Sequence, residues 1–272
     1  MTEPFGAQLR AAMDARGPLC VGIDPHAALL EAWGLPDTAY GLERFATTVV
    51  EALADRVAVL KPQSAFFERH GSAGVAVLER TIQGIRKNGA LALLDVKRGD
   101  IGSTVDAYAD AYLGPTSSLS ADAITVHPYL GFGALQPFVS TATKHNRGLF
   151  VVILSSNPEG REVQQASRHG HTVAGAMLRQ VAELNVGVEP LGSIGAVVGA
   201  TIGDTPEDLA INGPLLAPGF GAQGGTVDDL RRVFGPALPN VVPATSRAVL
   251  AEGPDPIGLQ DAAAKIGASL GD

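Results

Sequence analysis

Two carboxylates bracket a lysine in Asp95-Val-Lys-Arg-Gly-Asp100, directly after the apolar run at residues 90–94. If that run is a strand, alternation puts Leu93, Asp95 and Lys97 on one face and Ala92, Leu94 and Val96 on the other. One face therefore passes from core to chemistry, and Asp100 follows on the next turn, within reach of the same pocket. A lysine between carboxylates is held as an ammonium, and the carboxylates stay ionised beside it. An ammonium fixed in this way can stabilise developing negative charge and then deliver its proton. The same pattern also suits a solvated strand end whose ion pairs contribute only about 0–1 kcal/mol, so the rest of the chain has to separate the two readings.

The elements that would position these groups recur along the chain. Helical spacing at residues 5–15 precedes a strand at 19–23, which ends in Asp24-Pro25-His26. A helix at 37–56 leads to a strand at 57–60 ending in Lys61-Pro62-Gln63-Ser64, and a lysine there suits the mouth of a core rather than its interior. A helix at 74–87, stopped by Asn88-Gly89, leads into the charged strand; a helix at 105–113 and a strand at 123–126 ending in His127 follow. After a helix at 133–145, the almost wholly apolar strand 148–154 ends in Ser155-Ser156-Asn157-Pro158. The polar stretch 159–170, with Arg161, Gln164, Gln165, Arg168 and His169, reads either as a loop over a site or as a solvated excursion.

The second half repeats the pattern. A helix at 172–184 and a Gly-rich strand at 194–200 are followed by Thr205-Pro206, which reads as a helix start with Thr205 as its cap. A short strand at 215–217 gives way to Pro218-Gly-Phe-Gly-Ala-Gln-Gly-Gly225, a backbone free enough to approach an anion, with a helix after Thr226 adding its positive end. The strand 240–245 ends in Ser246-Arg247. Eight strands alternating with helices, with no linker or repeat, predict one α/β domain over residues 1–272, a single (β/α)8 TIM barrel with its site at the C-terminal strand ends. Asp24, Lys61, Asp95, Lys97, Asp100, Ser156, Gln223 and Arg247 all fall at such ends.

The bulk numbers agree. A chain of 272 residues suits one such barrel, and 46% hydrophobic content supplies a large core. A net charge of −8 argues against nucleic acid or an anionic membrane as partner. The single cysteine, Cys20, lies in an apolar segment and reads as a buried thiol; no apolar stretch reaches membrane-spanning length, and the chain is expected to be cytoplasmic. No spaced set of His, Asp and Glu predicts a metal site.

Asp95-Val-Lys-Arg-Gly-Asp100-Ile101 resembles the Asp-x-Lys-x-x-Asp-Ile signature of the orotidine 5'-phosphate decarboxylases, in the wording of their longer, mycobacterial-type subgroup. Val21-Gly-Ile-Asp-Pro, Leu60-Lys-Pro and Pro218-Gly-x-Gly-Ala-Gln-Gly-Gly match further landmarks, so the likeness spans the first strand to Arg247. The resemblance implies conversion of orotidine 5'-monophosphate to UMP and carbon dioxide in pyrimidine biosynthesis, without cofactor or metal. It implies Lys97 as proton donor, Asp95 against the departing carboxylate, and Lys61 orienting Asp95 and touching the ribose. It further implies Asp24 on a ribose hydroxyl, Ser156 on the pyrimidine edge, Pro218 along the base, and Gln223 with Arg247 on the phosphate. Asp100, with Ile101 and Thr104 beside it, would come from the neighbouring subunit of a homodimer with shared sites.

Two other readings remain open on the residues. One is a magnesium-dependent sugar-phosphate decarboxylase or aldolase-like synthase with a similar Asp-x-Lys-x-x-Asp pattern, which would need a carboxylate where Lys61 stands. The other is a silent nucleotide-binding barrel, against which an intact charge network speaks.

Overall fold

The computed structural model describes residues 3–221 and 224–271. Eight parallel strands close into a barrel: β1 (Cys20–Ile23), β2 (Val59–Pro62), β3 (Leu91–Arg98), β4 (Ala123–Val126), β5 (Gly148–Leu154), β6 (Ile194–Val198), β7 (Leu215–Pro218) and β8 (Val241–Thr245). Neighbours in the barrel are neighbours in the chain, and β8 closes on β1 through Cys20 opposite Ala244. Alternation divides the core into two layers. Cys20, Val59, Leu93, Phe150, Leu216 and Val242 point inward, whereas their successors, such as Val21, Leu60 and Leu94, pack under the helices.

The longer helices are α1 (Phe5–Arg16), α2 (Ala39–Leu53), α3 (Gly71–Lys87), α4 (Gly102–Leu113), α5 (Gln136–Lys144), α6 (Val173–Leu184), α7 (Val227–Phe234) and α8 (Pro256–Gly271). Each of α2 to α8 exposes a polar face and buries an apolar one; on α2, Leu42, Phe45, Ala46, Val49 and Leu53 recur at three- and four-residue intervals. Side-chain caps fix several starts: Thr38 on α2, Thr172 on α6, and on α7 a reciprocal box between Thr226 and Asp229.

Helix α1 has a separate task. Phe5, Leu9 and Met13 belong to the inner cluster, and the Phe5 ring meets Phe150 edge-on at 6.1 Å, so α1 closes the N-terminal end of the barrel. Position 148 must be glycine because a Cβ there would enter the Phe5 ring. At the same end Asp122 ties three elements together, accepting from Arg147 Nη1 at 2.7 Å and from the Ala92 amide at 3.0 Å while pairing with Arg86 at 3.2 Å. With the floor sealed, the C-terminal mouth is where the inner face can meet a ligand.

One expected helix is absent. After β6 the chain runs irregularly through residues 203–214, although Thr205 does cap: its Oγ1 accepts from the Glu207 amide at 3.3 Å. The turn stops there because Asp208 Oδ1 takes the Ala210 amide at 2.9 Å and the Glu207 carboxylate accepts from Thr172 Oγ1 at 2.5 Å. Side chains that bond their own backbone, or a neighbouring element, compete with the helical ladder. The polar stretch 159–170 is an exposed excursion carrying a helical turn (Arg161–Gln164) and a two-stranded hairpin (Ser167–Arg168 with His171–Thr172). Among the described residues, no helix is long and apolar enough to cross a membrane.

Cys20 lies inside the barrel with no exposure, and burial pushes its thiol up to about 12, partly offset by the nearby Lys61 ammonium. The thiolate is the nucleophile. The folded chain is therefore expected to resist iodoacetamide at pH ~8, near the ordinary cysteine pKa, and to be fully alkylated in denaturant, as read by intact mass.

Candidate active site

The inward columns that build the core also build the site. Cys20 leads to Gly22 and Asp24, Val59 to Lys61 and Gln63, Leu93 to Asp95 and Lys97, and Ala123 to Thr125. Two residues further along each strand, apolar packing gives way to a polar layer at the mouth.

Asp95 is the centre of that layer. Its Oδ2 accepts from Lys61 Nζ at 3.1 Å and Gln63 Nε2 at 2.9 Å; its Oδ1 accepts from Lys97 Nζ at 2.5 Å and Thr125 Oγ1 at 2.7 Å. Four donors satisfy a carboxylate completely. Lys61 and Asp95 are 7% and 6% exposed, so neither charge is solvated and each depends on the other. Burial opposes ionisation of Asp95, but the ammonium groups of Lys61 and Lys97, with the hydrogen bonds from Lys97 and Thr125, hold it well below the usual carboxylate range. Burial likewise opposes the Lys61 charge, and the attraction of Asp95 and then Asp24 overcomes it, holding the ammonium above its ordinary value.

Lys97 reaches Asp95 from an unusual backbone. Its φ is +45°, in the left-handed region that costs a non-glycine residue about 1–3 kcal/mol. Pairing of β3 with β4 slips at the same place: Leu94 faces Ile124, but Arg98 faces Val126. Thr125 bridges the irregularity, since its Oγ1 accepts the Lys97 amide at 3.0 Å while donating to Asp95.

Asp24, Lys61, Asp95, Lys97, Ser156, Pro218 and Arg247 line one cavity of about 470 Å³. Its floor is apolar, from Val152, Val197, Leu216 and Ala244; its wall at β2 and β3 is charged; Asp24 and Arg247 stand on the β1 and β8 side. Among the described residues, Asp24 Oδ1, Thr245 Oγ1 and Ser246 Oγ are buried without a hydrogen-bond partner, a set of polar atoms available to a hydroxylated ligand. Gly22 leaves room for them, because a Cβ there would sit 3.0 Å from Ser246 Cβ and 3.1 Å from Asp24 Oδ2. A second cavity, about 370 Å³, adjoins the first through Ser155 and Ser156. Gln164 of the excursion grips Ser155 there, accepting its amide at 3.0 Å and donating to its Oγ at 2.7 Å.

Three expected site residues lie elsewhere in the chain. The Asp100 carboxylate accepts the Ile101 amide at 2.8 Å, outside the cavity, and Ile101 and Thr104 are exposed beside it. Gln223 lies outside the described residues. His127 and His169 do not line the main cavity, whereas His26 does. Sequence reasoning passed over Gln63, Thr125, Thr245 and Ser246. Thr125 had a signal, being the polar residue of an otherwise apolar four-residue strand; Gln63 had only its place two residues after Lys61.

A closed (β/α)8 barrel carrying a buried lysine–aspartate ladder at its C-terminal mouth defines a TIM-barrel enzyme. The profile of the orotidine 5'-phosphate decarboxylase / HUMPS family matches residues 17–257, and the chain belongs to that family. It is 63% identical over 270 residues to the orotidine 5'-phosphate decarboxylase of Streptomyces coelicolor, covering 98% of this chain and 97% of the relative. To that of a Nocardioides species it is 65% identical over 251 residues, covering 91% and 92%. A Streptomyces avermitilis crystal structure described as an orotidine 5'-phosphate decarboxylase superposes with a TM-score of 0.97 at 60% identity, covering 99% of this chain and 95% of that one. The chain is accordingly a carboxy-lyase.

Removing one member of the ladder should be costly. Asp95→Asn leaves Lys61 buried against a neutral amide and is expected to lower unfolding stability by about 3–5 kcal/mol at neutral pH, read by urea denaturation. The folded Asp95 pKa lies below the ordinary 3.8, so its contribution is complete above that value and lost as pH falls through the lower folded pKa. The gap between parent and variant should therefore hold flat near neutrality and narrow only in acid below pH 3.8.

Proposed function

We propose that this chain decarboxylates orotidine 5'-monophosphate to UMP, a step of pyrimidine biosynthesis, without metal or organic cofactor, acting in the cytoplasm as a homodimer. The observation that carries the reading is the ladder Lys61–Asp95–Lys97: a buried, fully bonded carboxylate holding an ammonium at the edge of a nucleotide-sized cavity. In this reading the pyrimidine lies on the apolar floor with Pro218 along it and Ser156 at its edge. Asp24 and Lys61 take ribose hydroxyls, while Arg247 and Gln223 take the phosphate.

The bond from the ring to the carboxylate breaks, its electron pair stays on the ring carbon, and carbon dioxide leaves. Lys97 Nζ stabilises that growing charge and then transfers its proton to the same carbon; the neutral amine regains a proton from water. Asp95 cannot drift, because Lys61, Gln63 and Thr125 fix its oxygens, so Lys97 is aimed before substrate arrives. Phosphate binding, remote from the reacting bond, contributes by holding the ring in place.

The dimer with shared sites is favoured by the position of the Asp100 loop. Asp100, Ile101 and Thr104 do not line the chain's own cavity, and Ile101 is 62% exposed; on the loop after β4, Tyr129 and Leu130 are 75% and 54% exposed. Exposed large apolar side chains on the loops after two adjacent strands suit a protein–protein contact. The synthase reading is disfavoured at Lys61, which occupies the strand end where that chemistry would need a carboxylate and instead serves Asp95.

Adding the purified chain to orotidine 5'-monophosphate should remove the near-ultraviolet absorbance of the orotate ring equally fast with and without excess chelator; loss abolished by chelator would favour the metal-dependent class. Lys97→Ala and Asp100→Asn homodimers should each be nearly inactive, while mixing them should restore turnover in proportion to hybrid content, since each hybrid builds one intact site. No recovery after verified subunit exchange would remove the shared site.

A further inference from the structure

The left-handed lysine needs a restraint that Asp95 alone does not supply. A flexible four-carbon side chain tied to a carboxylate at its tip does not hold its own backbone at φ +45°, and the slipped β3–β4 register pairs none of residues 95–97 with β4, while Asp95 keeps a bridge to Gln63 on the β2 side. Thr125 restrains the backbone on one side, at the Lys97 amide; on the other side the next residue, Arg98, is held by several contacts of its own.

Arg98 is gripped from three sides. Its Nη2 donates to Glu68 Oε1 at 2.7 Å, its Nη1 donates to the Val96 carbonyl at 3.1 Å, and its guanidinium carbon lies 5.7 Å and 5.6 Å from the ring centres of Tyr108 and Tyr112. Those two rings stack on each other with centres 6.3 Å apart on α4. Glu68 is itself fixed by Ser64 Oγ at 2.6 Å, and the Arg98 backbone rejoins the sheet by accepting the His127 amide at 3.0 Å. Glu68 ends the short helix Ser64–Glu68, and the residue before that helix is Gln63, which holds Asp95. One short segment therefore fixes the residues on both sides of Lys97: Lys61 and Gln63 hold Asp95, and Glu68 holds Arg98.

We propose that Arg98 is a positioning residue for the reaction: clamped between the Glu68 carboxylate and the paired rings of Tyr108 and Tyr112, it holds the Lys97 backbone left-handed and so keeps Nζ on Asp95. Arginine suits the task because its planar fork bonds two oxygens and stacks on rings at once, which a lysine cannot do. The clamp works on Lys97 and leaves the ribose and phosphate contacts untouched, so its loss affects the proton-transfer geometry more than binding. The proposal rests on Lys97 acting as proton donor.

The test compares Arg98→Lys, Arg98→Met and Glu68→Gln with the parent, after circular dichroism and size exclusion have shown which fold. Expected for the Arg98 variants is a kcat lower by about 10- to 100-fold, the scale of a displaced catalytic group, with UMP dissociation constants within about threefold of the parent. Glu68→Gln should show the same split at smaller amplitude, and it decides the matter if the Arg98 variants do not fold. Acetic anhydride labelling of Lys97, followed by peptide mass spectrometry without substrate, should be faster in each folded variant, because Nζ leaves Asp95. Unchanged Lys97 labelling, a kcat within about twofold of the parent, or parallel losses in kcat and UMP affinity would overturn the proposal. Should the parent itself leave orotidine 5'-monophosphate intact, the functional reading fails, while the labelling arm still decides whether Arg98 sets Lys97.

Discussion

A buried ion pair between Lys61 and Asp95 is the constraint on which this mouth of the barrel depends. Two charges withdrawn from water are tolerable only when geometry is tight and every remaining lone pair is met. Here the condition is satisfied by donors from three adjacent strand ends: Lys61 on β2 with Gln63 just past it, Lys97 on β3 and Thr125 on β4. The ends of β2, β3 and β4 are thus locked together by one carboxylate. An apolar pair of equal volume would fill the space, but it would give Lys97 nothing to be aimed by.

The remainder of the fold makes that lock possible. Helix α1 seals the opposite end of the barrel with Phe5 and Leu9, and the inner layer from Cys20 to Val242 excludes water below the charges. The low-dielectric floor strengthens the attraction between Lys61 and Asp95 and raises the Cys20 thiol just beneath them. The same cavity extends to Asp24, Thr245, Ser246 and Arg247, where the wall is polar. A molecule with a flat ring, a hydroxylated middle and an anionic end suits a cavity with an apolar floor, unpartnered polar atoms and an arginine, which supports the proposed substrate chemically as well as by family.

One strained backbone position falls where the chemistry is proposed. Lys97 has a left-handed backbone, the β3–β4 pairing slips across it, and Thr125 and Arg98 hold either side. Strain of this kind persists only where the surroundings over-determine it. Short helices that periodicity did not reveal, notably Ser64–Glu68, are part of that surrounding.

Much of this was legible in the chain itself. Eight strands, their polar ends and most helices follow from apolar periodicity, and the single inward face of β3 follows from alternation, because backbone geometry fixes both periods locally. The grouping of Asp24, Lys61, Asp95, Lys97, Ser156, Pro218 and Arg247 followed once a closed barrel was inferred, since closure brings all strand ends to one mouth. Thr205-Pro206 carried a helix signal, yet Glu207 is engaged by Thr172 and the turn goes no further, a competition between elements that no local window contains. The roles of Gln63, Thr125 and the Arg98 clamp were hidden for the same reason, although Thr125 stood out as a polar residue in an apolar strand: they are set by partners some thirty positions away, Asp95 for the first two and Glu68 for the third. The sequence by itself determined which elements form and which faces they bury, through short-range sterics and hydrophobic period. Only tertiary structure decided which polar atoms meet, because hydrogen bonds and buried charges depend on distances that closing the barrel creates.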